Sequence, residues 1–174
     1  MNRRSEDFAN HTLTVLVENK AGVLARVADL FARRGYNIVS LAVAPTGDVA
    51  FSRITIVVDV ESAPLEQIVK QLFKLINVIE IIELPADKSI ERELLMATVT
   101  VSAADHDSFI DLLARYNATV VGDAAELMTV SMESSPVLVS EFERELERYT
   151  IADLQRSGAI ALAKTGQDVN RVSI

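Results

Sequence analysis

Residues 12–46 read TLTVLVENKAGVLARVADLFARRGYNIVSLAVAPT, and this stretch decides how the rest of the chain folds. Apolar and polar side chains alternate up to Glu18, and this period of two predicts a strand with Leu13, Val15 and Val17 on one face. Further on, apolar residues recur three and four positions apart, which predicts an amphipathic helix. A second strand follows the helix. The stretch therefore predicts a strand–helix–strand unit with two well-marked turns.

The first turn is Asn19-Lys20-Ala21-Gly22. Asn19 has a short amide suited to capping the free N–H groups of a helix start, and Gly22 lacks the Cβ that would keep a ligand from the backbone. A helix N-terminus offers N–H donors and partial positive charge to a carboxylate, while Asn side chains can bond a carboxylate or an ammonium. These residues suit a site for a free amino acid, although Asn and Gly are also common in ordinary turns.

The second turn ends the helix and opens the next strand. Arg33 and Arg34 lie in the predicted last turn, where the carbonyl end of the helix dipole favours cations, and Gly35 can adopt the left-handed cap. Tyr36-Asn37-Ile38 then begins a new strand.

The first half continues with a hairpin, a helix and a strand. Residues 51–60 alternate as a strand, and Ser62-Ala63-Pro64 is typical of a helix start. The predicted buried stripe of this helix consists of Leu65, Ile68, Val69, Leu72 and Ile76. Asn77 ends the helix, and residues 78–84 form a nearly apolar strand. The predicted order is βαββαβ.

The second half repeats this order. Residues 85–92 carry Pro and mixed charge and predict a linker. Strands are predicted at 93–102, 119–121, 127–132, 151–155 and 159–163, with helix stripes of Phe109, Leu112, Leu113 and Tyr116 and of Val139, Phe142, Leu146 and Tyr149. Residues 165–174 lack a period and predict a flexible tail. We therefore expect an α+β protein with domains at 10–84 and 93–164, each with both helices on one face of a sheet.

Composition excludes several classes of function. The 174 residues are 49% hydrophobic and 24% charged, with a formal charge of -8 and no Cys. Without basic clusters interleaved with aromatics, a nucleic-acid surface is not expected. Without Cys there is no disulfide or thiolate metal site. The apolar runs are too short to span a bilayer, and the polar first ten residues lack a signal core, so we expect a cytoplasmic protein.

Candidate catalytic residues are missing from the sequence. His11 and His106 have no partner at the spacing of a metal site or a catalytic triad. Nucleotide-binding glycine motifs and the nucleophile elbow are absent. We expect no catalytic residue and no metal ligand in this chain.

Several stretches, taken in order, resemble the regulatory (small) subunits of acetolactate synthase, also called acetohydroxyacid synthase. They are VENKAGVLARV from residue 17, RRGYNI from 33, SLAVAPT from 40, SRITIVV from 52 and LEQIVKQLFKLINV from 65, with weaker matches EREL from 91 and RSG from 156. The first stretch is a general mark of ACT domains, and the ordered set is more specific. The chain departs from the pattern at the irregular hairpin tip, residues 46–51, and in its divergent second half.

The resemblance implies an ACT domain followed by a second ferredoxin-like domain that contributes to partner binding. It implies a homodimer that pairs ACT sheets edge to edge, with a branched-chain amino acid, typically valine, bound where the two domains meet. The effector-binding residues implied are Asn19, Gly22, Val23, Leu24, Asn37 and Ile38. The partner would be the large catalytic subunit, which holds thiamine diphosphate, Mg²⁺ and FAD, whereas this chain would bind no cofactor. The small subunit would activate the enzyme and confer feedback inhibition in branched-chain amino acid biosynthesis.

Two other classes remain as alternatives. A stand-alone amino-acid-binding ACT module could serve a different enzyme or a transcription factor, but residues 94–163 lack a helix-turn-helix or a catalytic core. An RNA-binding domain of the same topology would need exposed strand aromatics and basic charge, which are absent.

Overall fold

A computed structural model describes residues 10–59 and 65–173. The chain divides into two compact units, one made of residues up to 90 together with residues from 161 onward, the other of residues 91–160. The elements are β1 (Asn10–Glu18), α1 (Val23–Arg34), β2 (Asn37–Pro45), β3 (Phe51–Asp59), α2 (Leu65–Leu72), β4 (Val78–Leu84), β5 (Ser89–Thr100), α3 (His106–Tyr116), β6 (Thr119–Ala124), β7 (Leu127–Ser134), α4 (Pro136–Leu146), β8 (Thr150–Arg156), β9 (Ile160–Ala163) and β10 (Arg171–Ser173).

The first unit contains a five-stranded sheet in the order β10-β4-β1-β3-β2. Its pairs are antiparallel, with Leu13 opposite Ile56 and Val15 opposite Ile54. These four side chains are fully buried and share one core cluster with apolar residues of α1 and α2. Burial of each such side chain stabilises the fold by about 1.5 to 3 kcal/mol. The alternation that predicted the first strand therefore marks the face that the helices cover.

The two edges of this sheet differ. At one edge β10 pairs with β4, with Val172 opposite Ile81. Strand β2 forms the other edge, and among the described residues no further strand pairs with it there. Val39 and Val43 of β2 are 52% and 46% exposed. An edge strand with unpaired backbone groups is suited to pairing with another chain.

The second unit repeats the plan with the strand order β6-β7-β5-β8. Leu95, Ala97 and Val99 are buried with Phe109 and Phe142 in its core. Helix α4 has a capped start, because the Ser135 hydroxyl accepts the Leu138 N–H at 3.4 Å. The α+β class with two βαββαβ units is thus confirmed.

The structure differs from the expected linker at residues 85–92. Strand β5 begins at Ser89, whose buried hydroxyl donates to the Pro85 carbonyl at 2.8 Å. Asp87 and Lys88 lie in the turn before β5, whereas Glu91 and Arg92 lie on the strand itself, where Arg92 pairs with Glu133 at 3.1 Å. Mixed charge on such a strand looks like a linker in sequence.

The expected flexible tail, residues 165–174, also differs. Residues 171–173 form β10, and the Lys88 ammonium donates to the Asp168 carbonyl at 3.1 Å. Ala161 packs with Ile82 and Leu84 of the first unit. A strand of three residues is too short to produce a sequence period, so the pattern could not reveal it.

The helix stripe predicted for α2 is wrong at one position. Helix α2 ends at Leu72, and Ile76 is 86% exposed. Turns replace the helix at Lys74 and Leu75, whose N–H groups bond carbonyls three residues back. The predicted start at residues 62–64 lies outside the described residues.

Candidate functional site

The turn between β1 and α1 is held by backbone and amide hydrogen bonds. The Asn19 N–H donates to the Ala50 carbonyl at 2.7 Å, and its Nδ2 donates to the Val49 carbonyl at 2.9 Å. Asn19 therefore ties the turn to the tip of the β2–β3 hairpin. The expected helix-capping role of Asn19 is wrong, because the N-cap position belongs to Gly22 and no side-chain oxygen accepts a hydrogen bond from the N–H groups of this helix start.

Gly22 gives the start of α1 its open geometry. Its φ of 83° is left-handed, and no side chain caps the helix. A Cβ built on Gly22 would meet no atom within 4 Å, so the space above the turn is open. The first turn contains no acidic residue. No acidic side chain of the first turn therefore competes with a carboxylate for the partial positive charge of this helix end.

Val23 and Leu24, the next two predicted site residues, face different surroundings. Val23 is 5% exposed and belongs to the core with Val27 and Phe31, because these residues lie four positions apart on the helix. Leu24 is 39% exposed beside the open turn. Leu24 can thus offer an apolar side chain to a ligand there, whereas the Val23 side chain is buried and its N–H donates to the Lys20 carbonyl at 3.3 Å.

Asn37 and Ile38, the remaining predicted site residues, lie at the opposite end of the sheet. Asn37 is opposite Asp59, which is also opposite Asn10 at the start of β1, whereas the turn follows the end of β1. Helix α1 has 12 residues and spans about 18 Å between Gly22 and this end. Ile38 is half-buried against the core. One chain therefore does not bring Asn37 and Ile38 together with Gly22.

Sequence reasoning missed a polar cluster that forms around Glu18, at the end of β1 just before the turn. Asn77 donates through Nδ2 to the Glu18 carboxylate and accepts from Arg26 Nη1 at 2.7 Å through Oδ1. The Lys20 ammonium lies 3.0 Å from the same carboxylate. The hydrogen bond from Asn77, followed by that from Lys20, lowers the pKa of Glu18 below its usual value. Asn77 lies 59 residues from Glu18, so local sequence gave no signal of it.

The stretches EREL from residue 91 and RSG from residue 156, which resemble the family only weakly, contact each other in the second unit. Arg156 binds Glu93 through two hydrogen bonds of 2.6 and 2.9 Å, and Glu143 of α4 at 2.8 Å. The bonds to Glu93 raise the pKa of Arg156. Ser157 and Leu94 exchange hydrogen bonds on the neighbouring turn. These motif residues therefore hold β5, β8 and α4 together.

Across residues 10–59 and 65–173, no group of three or more His, Asp or Glu side chains could hold a metal ion. Within the same ranges, no helix is long and apolar enough to cross a membrane.

Both halves of the chain match known families. Residues 13–80 match the family described as AHAS small subunit-like ACT domain, and residues 92–165 match the small subunit of acetolactate synthase. The acetolactate synthase small subunit of Mycolicibacterium smegmatis is 46% identical over 160 residues, covering 92% of this chain and 94% of that protein. The probable small subunit of Archaeoglobus fulgidus is 39% identical and covers 88% and 96%.

A solved structure agrees over nearly the same length. The crystal structure of the acetolactate synthase small subunit from Thermotoga maritima superposes with a TM-score of 0.84 at 28% identity, covering 91% of this chain and 99% of that one. The fold and the open Gly22 turn define an ACT-domain protein with a second ferredoxin-like unit. The chain belongs to the family of acetolactate synthase small (regulatory) subunits.

Proposed function

We propose that this chain associates with the catalytic subunit of acetolactate synthase, raises its activity and makes it sensitive to a branched-chain amino acid, typically valine. The observation that carries the effector proposal is the uncapped start of α1 at left-handed Gly22, open to solvent and without acidic neighbours in its first turn. Family membership across both units supports the partner.

A homodimer would complete the effector site. If β2 pairs with its counterpart in a second copy, the antiparallel register places the first residue of one strand opposite the last residues of the other. Asn37 of the second copy then lies near Pro45 and the hairpin tip that Asn19 holds through Val49. The exposed Val39 and Val43 on this edge favour such pairing. The two separated groups of site residues thus become one site between two copies.

The proposed contacts follow from the chemistry of a free amino acid. Its carboxylate lies against the N–H groups at the start of α1, where the helix dipole favours an anion. Its ammonium is held by the side-chain oxygen of Asn37 from the second copy, or by that of Asn19, whose Nδ2 is already engaged. Leu24 faces the apolar side chain.

The catalytic subunit supplies the reaction in this proposal. It would hold thiamine diphosphate, Mg²⁺ and FAD and condense pyruvate with pyruvate or 2-oxobutyrate in the cytoplasm. This chain would contribute no cofactor and no catalytic residue.

Reconstitution with the catalytic subunit tests the function. Acetolactate formation by the large subunit is measured with increasing amounts of this chain, with and without valine. We expect faster formation without valine and inhibition with it. A mixture no faster than the large subunit alone would contradict activation, and activity of this chain alone would contradict the regulatory assignment.

Mixed dimers test whether the site is shared between copies. Gly22→Asp and Asn37→Ala chains are each purified, then unfolded and refolded together. If the site is shared, each single variant loses both sites, but the mixed dimer keeps one intact pair of Gly22 and Asn37. Calorimetry should then recover about one valine site per mixed dimer. No recovery in dimers that refold quantitatively would place the whole site within one chain.

A further inference from the structure

A groove of about 340 Å³ separates α1 from α2 and the turn that follows α2. We call it the basic groove, because its lining contains four cations and one acid: Arg26, Arg33, Arg34 and Lys74 with Asp29, beside Leu30, Gln71 and Leu75. The α1 residues lie on one face because they are three, four, seven and eight positions from Arg26. Leu30 and Leu75 are half-buried against the core and give the groove an apolar part.

Its charge is opposite to that of the whole chain. Residues 23–34 and 65–76 together carry five cations (Arg26, Arg33, Arg34, Lys70 and Lys74) and two acids (Asp29 and Glu66), a balance of +3 against -8 overall. Both acids are paired, Asp29 with Arg33 at 2.6 Å and Glu66 with Lys70 at 3.3 Å. The remaining three cations are therefore not neutralised by these acids.

The contacts of these three cations leave their charge in place. Arg26 donates to the amide oxygen of Asn77 at 2.7 Å, and Arg34 donates to that of Gln71 at 2.9 Å. An amide orients a guanidinium without cancelling its charge. Lys74 is exposed and has no ion pair within residues 10–59 and 65–173. The groove thus presents a fixed positive charge to solvent.

Geometry favours an extended partner over a small anion. Arg26 and Arg34 are eight residues apart on α1, a separation of about 12 Å. Because Asn77 holds the Arg26 guanidinium and Gln71 holds that of Arg34, an extended ligand suits this row of cations better than a single phosphate or carboxylate. Ile76, 86% exposed, adds apolar surface just beyond Lys74. The matching partner is a segment that carries several carboxylates and a few apolar side chains.

We propose that the basic groove is the docking surface for an acidic, partly apolar segment of the catalytic subunit. This inference rests on the proposed function, which supplies the partner. The carboxylates of that segment pair with Arg34, Lys74 and Arg26, and its apolar side chains cover Leu30, Leu75 and Ile76. Complementary charge of this kind raises the rate of association and fixes orientation, and its effect weakens as salt screens it.

Charge reversal tests the groove in the full chain. Arg34→Glu/Lys74→Glu changes two exposed cations outside the proposed effector turn. Its control, Lys164→Glu/Arg171→Glu, makes the same change on two exposed cations of the first unit. Affinity for the purified catalytic subunit is measured by fluorescence anisotropy at about 50 mM and about 500 mM salt. We expect the groove variant to bind at least tenfold more weakly at low salt, a smaller difference at high salt, and a control within about twofold of wild type.

Further measurements separate this inference from its alternatives. Circular dichroism verifies folding, and Arg34→Gln/Lys74→Gln replaces any reversal variant that fails to fold, with an expected loss in the same direction. If wild type activates the catalytic subunit and the groove variants bind that subunit as tightly as wild type does, the docking surface is wrong and the proposed function still holds. Wild type that neither binds nor activates would overturn both. If the groove variants lose the homodimer, the groove is instead a contact between copies of this chain. If wild type binds inorganic triphosphate stoichiometrically and the groove variants keep their affinity for the catalytic subunit, the groove is instead an anion site.

Discussion

At the scale of single residues, Gly22 is the most constrained position of the proposed effector site. Gly22→Asp should weaken valine inhibition about fivefold or more while activation of the catalytic subunit persists. The carboxylate would repel the effector by about 1 kcal/mol or more at short range, and the left-handed φ of 83° would cost the fold about 1 to 2 kcal/mol. The measurement is a valine inhibition curve in the reconstituted enzyme.

Gly166 provides a matched control for the backbone cost. Its φ is 80°, and an added Cβ would likewise meet no atom within 4 Å. Gly166→Asp should therefore lower stability by a similar amount and leave inhibition intact. Equal loss of inhibition in both variants would mean that backbone strain, rather than the effector site, is responsible.

The ionisation of Glu18 should make the stability of the fold depend on pH in a defined direction. Its folded-state pKa is lowered, chiefly by the hydrogen bond from Asn77, so its contribution is present above the unfolded pKa and is lost as pH falls through the folded value. The thermal midpoint of wild type should thus exceed that of Glu18→Gln near pH 6, and the gap should narrow below the usual Glu value of 4.5.

Thermal unfolding between pH 3 and pH 7 checks this, with Lys20→Gln for comparison. Lys20→Gln keeps the Asn77 bond, which is the larger cause, and should retain most of the effect. If the difference in thermal midpoint between wild type and Glu18→Gln stays constant down to pH 3, the ionised Glu18 carboxylate does not stabilise the fold.

At the scale of elements, the Arg156 cluster joins two strands to α4. Arg156→Ala would leave the Glu93 carboxylate, whose side chain is only 6% exposed, without its charged partner. We expect a loss of about 3 kcal/mol in the free energy of unfolding. Arg144→Ala, on the exposed face of α4, should change it by less than about 0.5 kcal/mol. Urea unfolding measures both, and equal values would mean that the cluster contributes little.

Long segments with a regular spacing of apolar residues were predictable from sequence. Elements that depend on contacts between residues far apart in the chain were not. The alternation through Leu13 and Val15 identified the buried face of β1, since a covered sheet requires apolar residues at every second position. β10 has three residues and exists only because β4 offers it an edge. Asn77 and Glu18 meet from positions 59 residues apart, so no local pattern recorded their contact.

At the scale of the whole molecule, the residues proposed for the effector site could be chosen from sequence, but the distance between them in the fold could not. Gly22 and Asn37 lie close together in the chain, and only the course of α1 reveals that they occupy opposite ends of one sheet. A site that uses both residues therefore requires a second copy. Effector binding and dimerisation should accordingly fail together.

Lysines on the β2 edge test this coupling. Val39→Lys/Val43→Lys adds two charges to the exposed edge, and edge pairing would bring four lysines together across the two copies. We expect a monomer by light scattering at micromolar concentration and no valine binding by calorimetry, although the Gly22 turn is unchanged. Val121→Lys/Leu127→Lys adds the same charge to exposed positions of the second sheet and should leave both properties intact. A monomeric edge variant that still bound valine at wild-type affinity would show that one chain suffices for the site, and Asn37 would then have no part in it.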